Sequence, residues 1–207
     1  MLQVLGKSTS INVRKVLWLC DEIGLPHEQQ QWGSGHRDTR LPEFTALNPN
    51  ALVPVIRDGE FVLWESNTIL RYLAGRQACT GLLPADPAAR ARVEQWMDWQ
   101  ATDLNGAWRY AFYALGRNSP AHTDPAAIAA SIASWNTLMT RLDAQLARTG
   151  AYVTGAGFTL ADIVLGLSTH RWLALPIERP ALPAVAAYYE RLTQRAAFRR
   201  HGRNGLP

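Results

Sequence analysis

The pattern of apolar residues changes once along this 207-residue chain, and that change limits what it can fold into. Up to residue 76, short strand-like runs alternate with helical ones. Leu2-Gln3-Val4-Leu5 reads as a strand ending at Gly6. Val13, Val16, Leu17 and Cys20 then recur at i, i+3, i+4 and i+7, the apolar stripe of a helix stopped by Gly24-Leu25-Pro26. Residues 27–32 suit a weak second strand, and 41–47 a short helix closed by Asn48-Pro49-Asn50. The runs 53–56 and 61–64 flank the turn pair Asp58-Gly59, a hairpin by its spacing, and a helix follows over 66–75. Beyond Gly81 alanine becomes frequent, strand patterns vanish, and helices are expected over 87–116, 124–149, 159–173 and 181–195. The fold class is therefore α/β plus all-α, with a β-α-β-α-β-β-α unit over 1–76, a linker over 77–86 and an all-helical unit over 87–207.

Composition removes several alternatives. Hydrophobic residues at 47% and charged residues at 18% describe a globular chain rather than a disordered one. No apolar run approaches the roughly 18 residues of a membrane span, and the start MLQVLGKST is the reverse of a signal peptide. Cys20 and Cys79 form neither a disulfide framework nor a CxxC pair, which favours a reducing cytoplasm. The five histidines are scattered, which argues against a metal site. The net charge of +4 lies wholly in residues 77–207, with thirteen basic and nine acidic side chains against eight of each in 1–76. Arg191, Arg195, Arg199, Arg200 and Arg203 crowd the last seventeen residues without an acid among them. That tail reads as a solvated helix end rather than a nucleic-acid surface, which would interleave a broad basic face with aromatics.

Three places break the local rules. Pro54 lies inside an apolar strand-like run, where its missing N–H would interrupt a ladder. Either a loop ends there, or the proline opens the strand with a cis peptide after Val53 and leaves the Val53 backbone facing outward to pair with an extended peptide. Glu65-Ser66 stands at a strand-to-helix junction. It is either a plain helix cap or a site for an α-amino acid, with Glu65 taking the ammonium and the helix N–H groups the carboxylate. Ser8-Thr9-Ser10-Ile11-Asn12 separates the first strand from the first helix. Its hydroxyls either cap that helix or hold a thiolate beside the positive end of the helix dipole.

Together these sites describe one ligand with a thiol, a peptide-like middle and an α-amino-acid end. The chain resembles the cytosolic glutathione transferases of the serine type. The resemblance rests on Ser10-x-Asn12-x-x-Lys15-Val16, on Asn48-Pro49-Asn50-Ala51-Leu52-Val53-Pro54, and on Glu65-Ser66 followed by Ile69-Leu70-x-Tyr72-Leu73. Thr159-Leu160-Ala161-Asp162 adds a match to the capping box before that family's buried helix. It implies a thioredoxin-like N-terminal domain, a helical C-terminal bundle, glutathione as co-substrate without a metal, and a homodimer in the cytoplasm.

Carried over residue by residue, the resemblance gives Ser10 the hydrogen bond to the glutathione thiolate, with Thr9 and Ser8 as competitors and Asn12 as a second donor. No tyrosine precedes Tyr72, which excludes the tyrosine-type mechanism. Val53, before Pro54, matches the residue whose backbone pairs with the cysteinyl part, and Glu65 and Ser66 match the pair holding the γ-glutamyl end. Arg40 is near the family's basic residue for the glycyl carboxylate, with His36 and Arg37 as alternatives. Ala51 stands where glycine is common, and Leu52 where a lysine or glutamine often contributes. The second substrate would lie against Trp108, Arg109, Tyr110, Phe112 and Tyr113, with Trp108, Arg109 and Tyr113 as the residues most expected to line an apolar pocket beside the thiol. The activity implied is conjugation of glutathione to small hydrophobic electrophiles. The alternatives are peroxide or mixed-disulfide reduction, or a non-catalytic binding or regulatory protein.

Overall fold

The computed structural model describes residues 1–205, so the last two positions of the 87–207 range lie outside the described residues. Four strands form a mixed sheet in the order β2-β1-β3-β4, with β1 (Leu2–Leu5), β2 (His27–Gln30), β3 (Val55–Asp58) and β4 (Phe61–Trp64). β1 runs parallel to β2 and antiparallel to β3, and β3 and β4 are the hairpin. The period-2 alternation of β1 sends Leu2 and Val4 to one face and Leu5 to the other. The first face carries α1 (Ile11–Glu22) and α3 (Ser66–Arg76), whose Val13, Val16, Ile69, Leu70 and Leu73 are fully buried. The second is closed by Trp32 and by Phe44 of the short α2 (Pro42–Thr45). Each such buried side chain contributes about 1.5–3 kcal/mol.

Two expected boundaries move. Pro54 is not in the ladder: β3 begins at Val55, and the Val53–Pro54 peptide is cis. The hairpin pairs Asp58 with Phe61, so its loop is Gly59-Glu60, one residue later than the expected Asp58-Gly59. Gly59 takes the first loop position at φ +61°, which an aspartate accepts less readily.

After turns and bends over 77–86 the remaining described residues form helices joined by loops. The span 87–116 is helical throughout but not uniformly so. α4 (Pro87–Trp99) passes through a π-helical turn (Gln100–Leu104) into α5 (Asn105–Ala111), and a second π-helical turn covers Phe112–Gly116. α6 (Pro125–Thr149), α7 (Leu160–Ala174) and α8 (Pro183–Thr193) follow. Asp86 and Asp124 cap α4 and α6 by accepting from Ala89 N at 2.8 Å and Ala126 N at 2.9 Å, each followed by a proline in the first turn. α7 is buried along Leu160–Trp172 and forms the axis of the molecule. Its start is fixed by Asp162, whose carboxylate accepts from Val153 N at 3.0 Å, Thr159 N at 2.8 Å and the Thr159 hydroxyl at 3.0 Å.

The strand-containing part and the helical part share one core. Trp18 of α1 meets Phe158 at 5.8 Å and Phe198 at 4.9 Å between ring centroids. Gly166 of α7 sits under Trp18, where a Cβ would come within 3.0 Å of the indole. The basic tail is the solvated helix end expected from its sequence only in part: Arg199, Arg200 and Arg203 are exposed, and Arg199 donates to Thr193 O and Gln194 O at the end of α8, but two of the arginines are also paired. Arg195 pairs with Glu22 and Arg200 with Asp21, both acids belonging to α1. The tail's counter-ions are distant in sequence, so a local count of acids does not reveal them. No helix of the described residues is long and apolar enough to cross a membrane.

Candidate active site

The site is assembled where three connections meet at the same end of the sheet. The first leaves β1 through Gly6, at φ +151°. A Cβ there would collide with Val13 of α1 and approach Val53 to 3.0 Å, so glycine lets the β1–α1 connection pass between them. The connection is then tied down by its backbone: Lys7 N donates to Trp32 O at 2.9 Å, and Arg14 Nε donates to Ser8 O at 2.9 Å. Ser10 occupies the N-cap of α1 with extended backbone, yet its side chain makes no capping hydrogen bond. Of the two readings open to this segment, capping is thus not the use made of the Ser10 hydroxyl.

The second connection is the loop before β3. Asn48, buried, donates from Nδ2 to Leu52 O at 2.8 Å and accepts at Oδ1 from Asn50 N at 3.0 Å. Ala51 is held at φ +53°, which accounts for glycine being common there in the family it resembles. Leu52 is 64% exposed and contributes no polar side chain. The third connection joins β4 to α3. Glu65 is the residue before the helix, at φ +71°, and Ser66 is the first helical residue. The first helical bond is Ile69 N to Glu65 O at 2.9 Å, so the N–H groups of residues 66–68 point out of the helix end as an anion-binding surface.

Two adjoining cavities lie between these connections. A small one of about 60 Å³ is lined by Asn12, Asn48, Leu52, Val53, Pro54, Glu65 and Ser66. A larger one of about 260 Å³ shares Asn12, Glu65 and Ser66 and reaches the helical part at Asp98, Ala101 and Asn105. Asn12, Val53, Pro54, Glu65 and Ser66 are therefore brought together, with Ser10 two residues before Asn12. Arg40 stands apart. It lines a separate groove with Gly33, His36 and Ala51, and its fully exposed guanidinium is committed to Asp38 at 3.1–3.2 Å.

The aromatic run divides by helical face. Trp108 and Phe112, four residues apart, turn inward and meet edge-to-face at 5.3 Å, with Trp108 also against Trp135 at 6.3 Å. Tyr113 is exposed and stacks on His122 at 4.9 Å, while Tyr110 meets the same imidazole edge-on. Arg109 is exposed. The two cavities beside Glu65 include none of Trp108, Arg109 and Tyr113.

One site residue escapes sequence reasoning. Lys15 lines the larger cavity and is buried, its Nζ donating to Asn67 Oδ1 at 3.1 Å and to Gln100 Oε1 at 3.0 Å. Gln100 in turn donates to Asn105 Oδ1 at 2.8 Å and Ser168 Oγ at 3.1 Å, so the network joins α1 and α3 to α7. Burial lowers the Lys15 ammonium to about 7, Arg171 adds to the effect, and Glu65 opposes it. The flank of an apolar stripe offers no sign that its lysine turns inward; the Ser10-x-Asn12-x-x-Lys15 spacing is the one signal available.

Known proteins match nearly the whole chain. Residues 9–76 match the glutathione S-transferase N-terminal domain and residues 125–191 the glutathione S-transferase C-terminal domain. Glutathione S-transferase GstB of Escherichia coli is 37% identical over 202 residues, covering 97% of each chain. Glutathione S-transferase 3 of Zea mays is 33% identical, covering 96% of this chain and 92% of its own. The crystal structure of the theta class glutathione S-transferase from Xanthomonas axonopodis pv. citri with glutathione bound superimposes with a TM-score of 0.92 at 40% identity, over 100% of this chain and 99% of that one. With a four-stranded thioredoxin-like unit, a helical unit and matches to both family domains, the chain belongs to the glutathione S-transferase family.

Proposed function

We propose that this protein is a glutathione transferase that conjugates glutathione to small hydrophobic electrophiles. The observation that carries the reading is the convergence of Asn12, Val53, Pro54, Glu65 and Ser66 on adjoining cavities beside an N-cap serine that does not cap its helix. In this reading the Ser10 hydroxyl donates to the glutathione sulfur at the positive end of α1. The thiolate is thereby favoured over a thiol of ordinary pKa about 8.5. The Val53 backbone pairs with the cysteinyl segment, and Glu65 takes the γ-glutamyl ammonium. The N–H groups at Ser66 and beyond take that end's carboxylate, and Arg40 leaves Asp38 for the glycyl carboxylate. Trp108, Arg109 and Tyr113 belong to the second-substrate side.

Peroxide or mixed-disulfide reduction is the second reading, because Asn12 lines both cavities and Ser10 neither. Retention on immobilised glutathione tests the shared premise. Turnover of an aromatic electrophile against an organic peroxide and a small mixed disulfide separates the two, and ultraviolet titration of the bound thiol locates its donor: a pKa that rises in Ser10→Ala supports the serine role, and one that rises only in Asn12→Ala moves it to the asparagine. The unit boundaries 1–76 and 87–207, a homodimer with the strand-containing unit of one chain facing the helical unit of the other, and a cytoplasmic location belong to the same proposal. Light scattering in solution checks the dimer.

A further inference from the structure

The π-helical turn at Gln100–Leu104 joins two amides that an α-helix would hold apart. Side chains five positions apart point about 140° away from each other around an α-helix. Here the Asn105 N–H reaches Gln100 O, and Gln100 Nε2 donates to Asn105 Oδ1 at 2.8 Å. The polarity of the pair is fixed from one end. An indole N–H only donates, and Trp108 Nε1 donates to Asn105 Oδ1 at 3.0 Å. Gln100 must therefore turn its amino group to Asn105 and its oxygen to Lys15, whose Nζ donates to Gln100 Oε1 at 3.0 Å. With Oδ1 accepting twice, Asn105 has only N–H groups left, and it lines the larger cavity beside Glu65 and Ser66. Among the described residues nothing accepts from Asn105 Nδ2, and the hydroxyl of Ser66, a residue only 6% exposed, has no partner either.

The other groups around this cavity are mostly spoken for. Arg71 is paired with both Asp98 and Glu94, and Lys15 is held by Asn67 and Gln100. Glu65 is the acid left to face an incoming ammonium. An amide with only N–H groups to offer cannot accept from an ammonium and is suited to an anionic oxygen. We infer that Asn105 is a further glutathione-binding residue, whose Nδ2 donates to the α-carboxylate of the γ-glutamyl end together with the Ser66 hydroxyl and the N–H groups of residues 66–68. The strand-containing unit then supplies the helix N-terminus and the helical unit of the same chain supplies the amide, so a single carboxylate links the two. This deepens the proposed function and rests on it.

The test uses two ligands without a free thiol, so that sulfur ionisation does not enter. One is S-methylglutathione; the other is the same peptide without its α-carboxylate, S-methyl-(4-aminobutanoyl)cysteinylglycine. Calorimetry gives the affinity of each, and their ratio reads what the carboxylate contributes. In Asn105→Ala this ratio is expected to fall by about tenfold from the parent value, the share of one hydrogen bond to a charged group. Asn105→Asp keeps the acceptor for Gln100 and Trp108 but replaces the amino group by a second oxygen. It should bind S-methylglutathione more weakly than Asn105→Ala does, and the peptide without the carboxylate at least as well. Because it retains those two hydrogen bonds, Asn105→Asp decides the matter should Asn105→Ala fail to fold. Equal weakening of both ligands in Asn105→Ala overturns the inference and leaves the transferase reading standing, because the amide would then only support Gln100 and Trp108. The parent ratio kept in Asn105→Asp does the same. A parent protein that binds neither S-methylglutathione nor glutathione overturns the transferase reading and the inference together.

Discussion

Lys15 Nζ lies 3.1 Å from Asn67 Oδ1, which places a buried ammonium one residue from Ser66 and ties the N-terminus of α3 to α1. Asn67 also donates to Met97 O at 2.9 Å, so the same side chain reaches α4. In Lys15→Met, Asn67 and Gln100 lose their shared donor, and the glutathione KM is expected to rise with a smaller change in kcat, measured by steady-state kinetics. Stability should respond to pH as well. The folded-state pKa is about 7 against an ordinary 10.5, so between these values the unfolded chain binds more protons and stability rises with pH. That contribution is at most about 1.4 kcal/mol per pH unit. Denaturant titrations from pH 7 to 9 should show a shallower slope in Lys15→Met than in the parent.

Ala51 sits at φ +53°, a conformation that costs a non-glycine residue about 1–2 kcal/mol. Ala51→Gly removes the strain but adds freedom to the unfolded chain, and a net gain of about 0.5–1 kcal/mol is expected. A higher urea midpoint with unchanged m-value checks it. Loss of stability would show that the Asn48 hydrogen bonds do not hold the loop in this form.

Gly166 packs its bare Cα against Trp18 and Leu192. In Gly166→Ala the new methyl meets Leu192 Cδ1 at 2.7 Å and the Trp18 ring at 3.0 Å unless they move. Leu192 can rotate, but the indole is held between Phe158 and Phe198. A loss of about 1–3 kcal/mol is expected, with the two parts of the molecule unfolding in one transition because the strain lies between them. Calorimetry reads both the loss and the single transition.

Asp162 combines full burial with three hydrogen-bond donors, and burial raises its carboxyl to about 6 despite them. Between the ordinary carboxyl value of 3.8 and about 6, the folded state holds the extra proton, so stability falls as pH rises through that window. Asp162→Ala abolishes this dependence and strands Val153 N and both Thr159 donors, for a loss of about 3 kcal/mol or more. Asp162→Asn keeps an acceptor and should lose less, as guanidinium melts at pH 5 and pH 7 would show.

Local periodicity was enough to read the sheet, the α1 stripe and the four long helical spans, because burial in each follows spacing along one element. The exception in the hairpin is instructive: Asp58-Gly59 has the usual turn composition, yet the loop uses Gly59-Glu60 because Asp58 pairs with Phe61. Within the site, Val53-Pro54 and Glu65-Ser66 stood out because proline and a strand-to-helix junction carry local backbone consequences. Lys15 and Gly6 gave no such sign. The environment of Lys15 is made by Asn67 and Gln100, and the need for glycine at position 6 comes from Val13 and Val53 closing on it from two sides.

The pairing of Glu22 with Arg195 and of Asp21 with Arg200 bears on how the chain is made. α1 leaves the ribosome well before its partners: its acidic end is neutralised by residues 173 and 179 positions further along the chain, and one side of Trp18 is covered by Phe198. During synthesis the part that bears Ser10 must wait, with one face of its first helix open, until Arg195, Phe198 and Arg200 have emerged. Deleting the basic segment that carries Arg195 to Arg203 would therefore expose that face permanently. The expected result is a protein that is synthesised in full length up to the cut but captured by chaperones rather than matured.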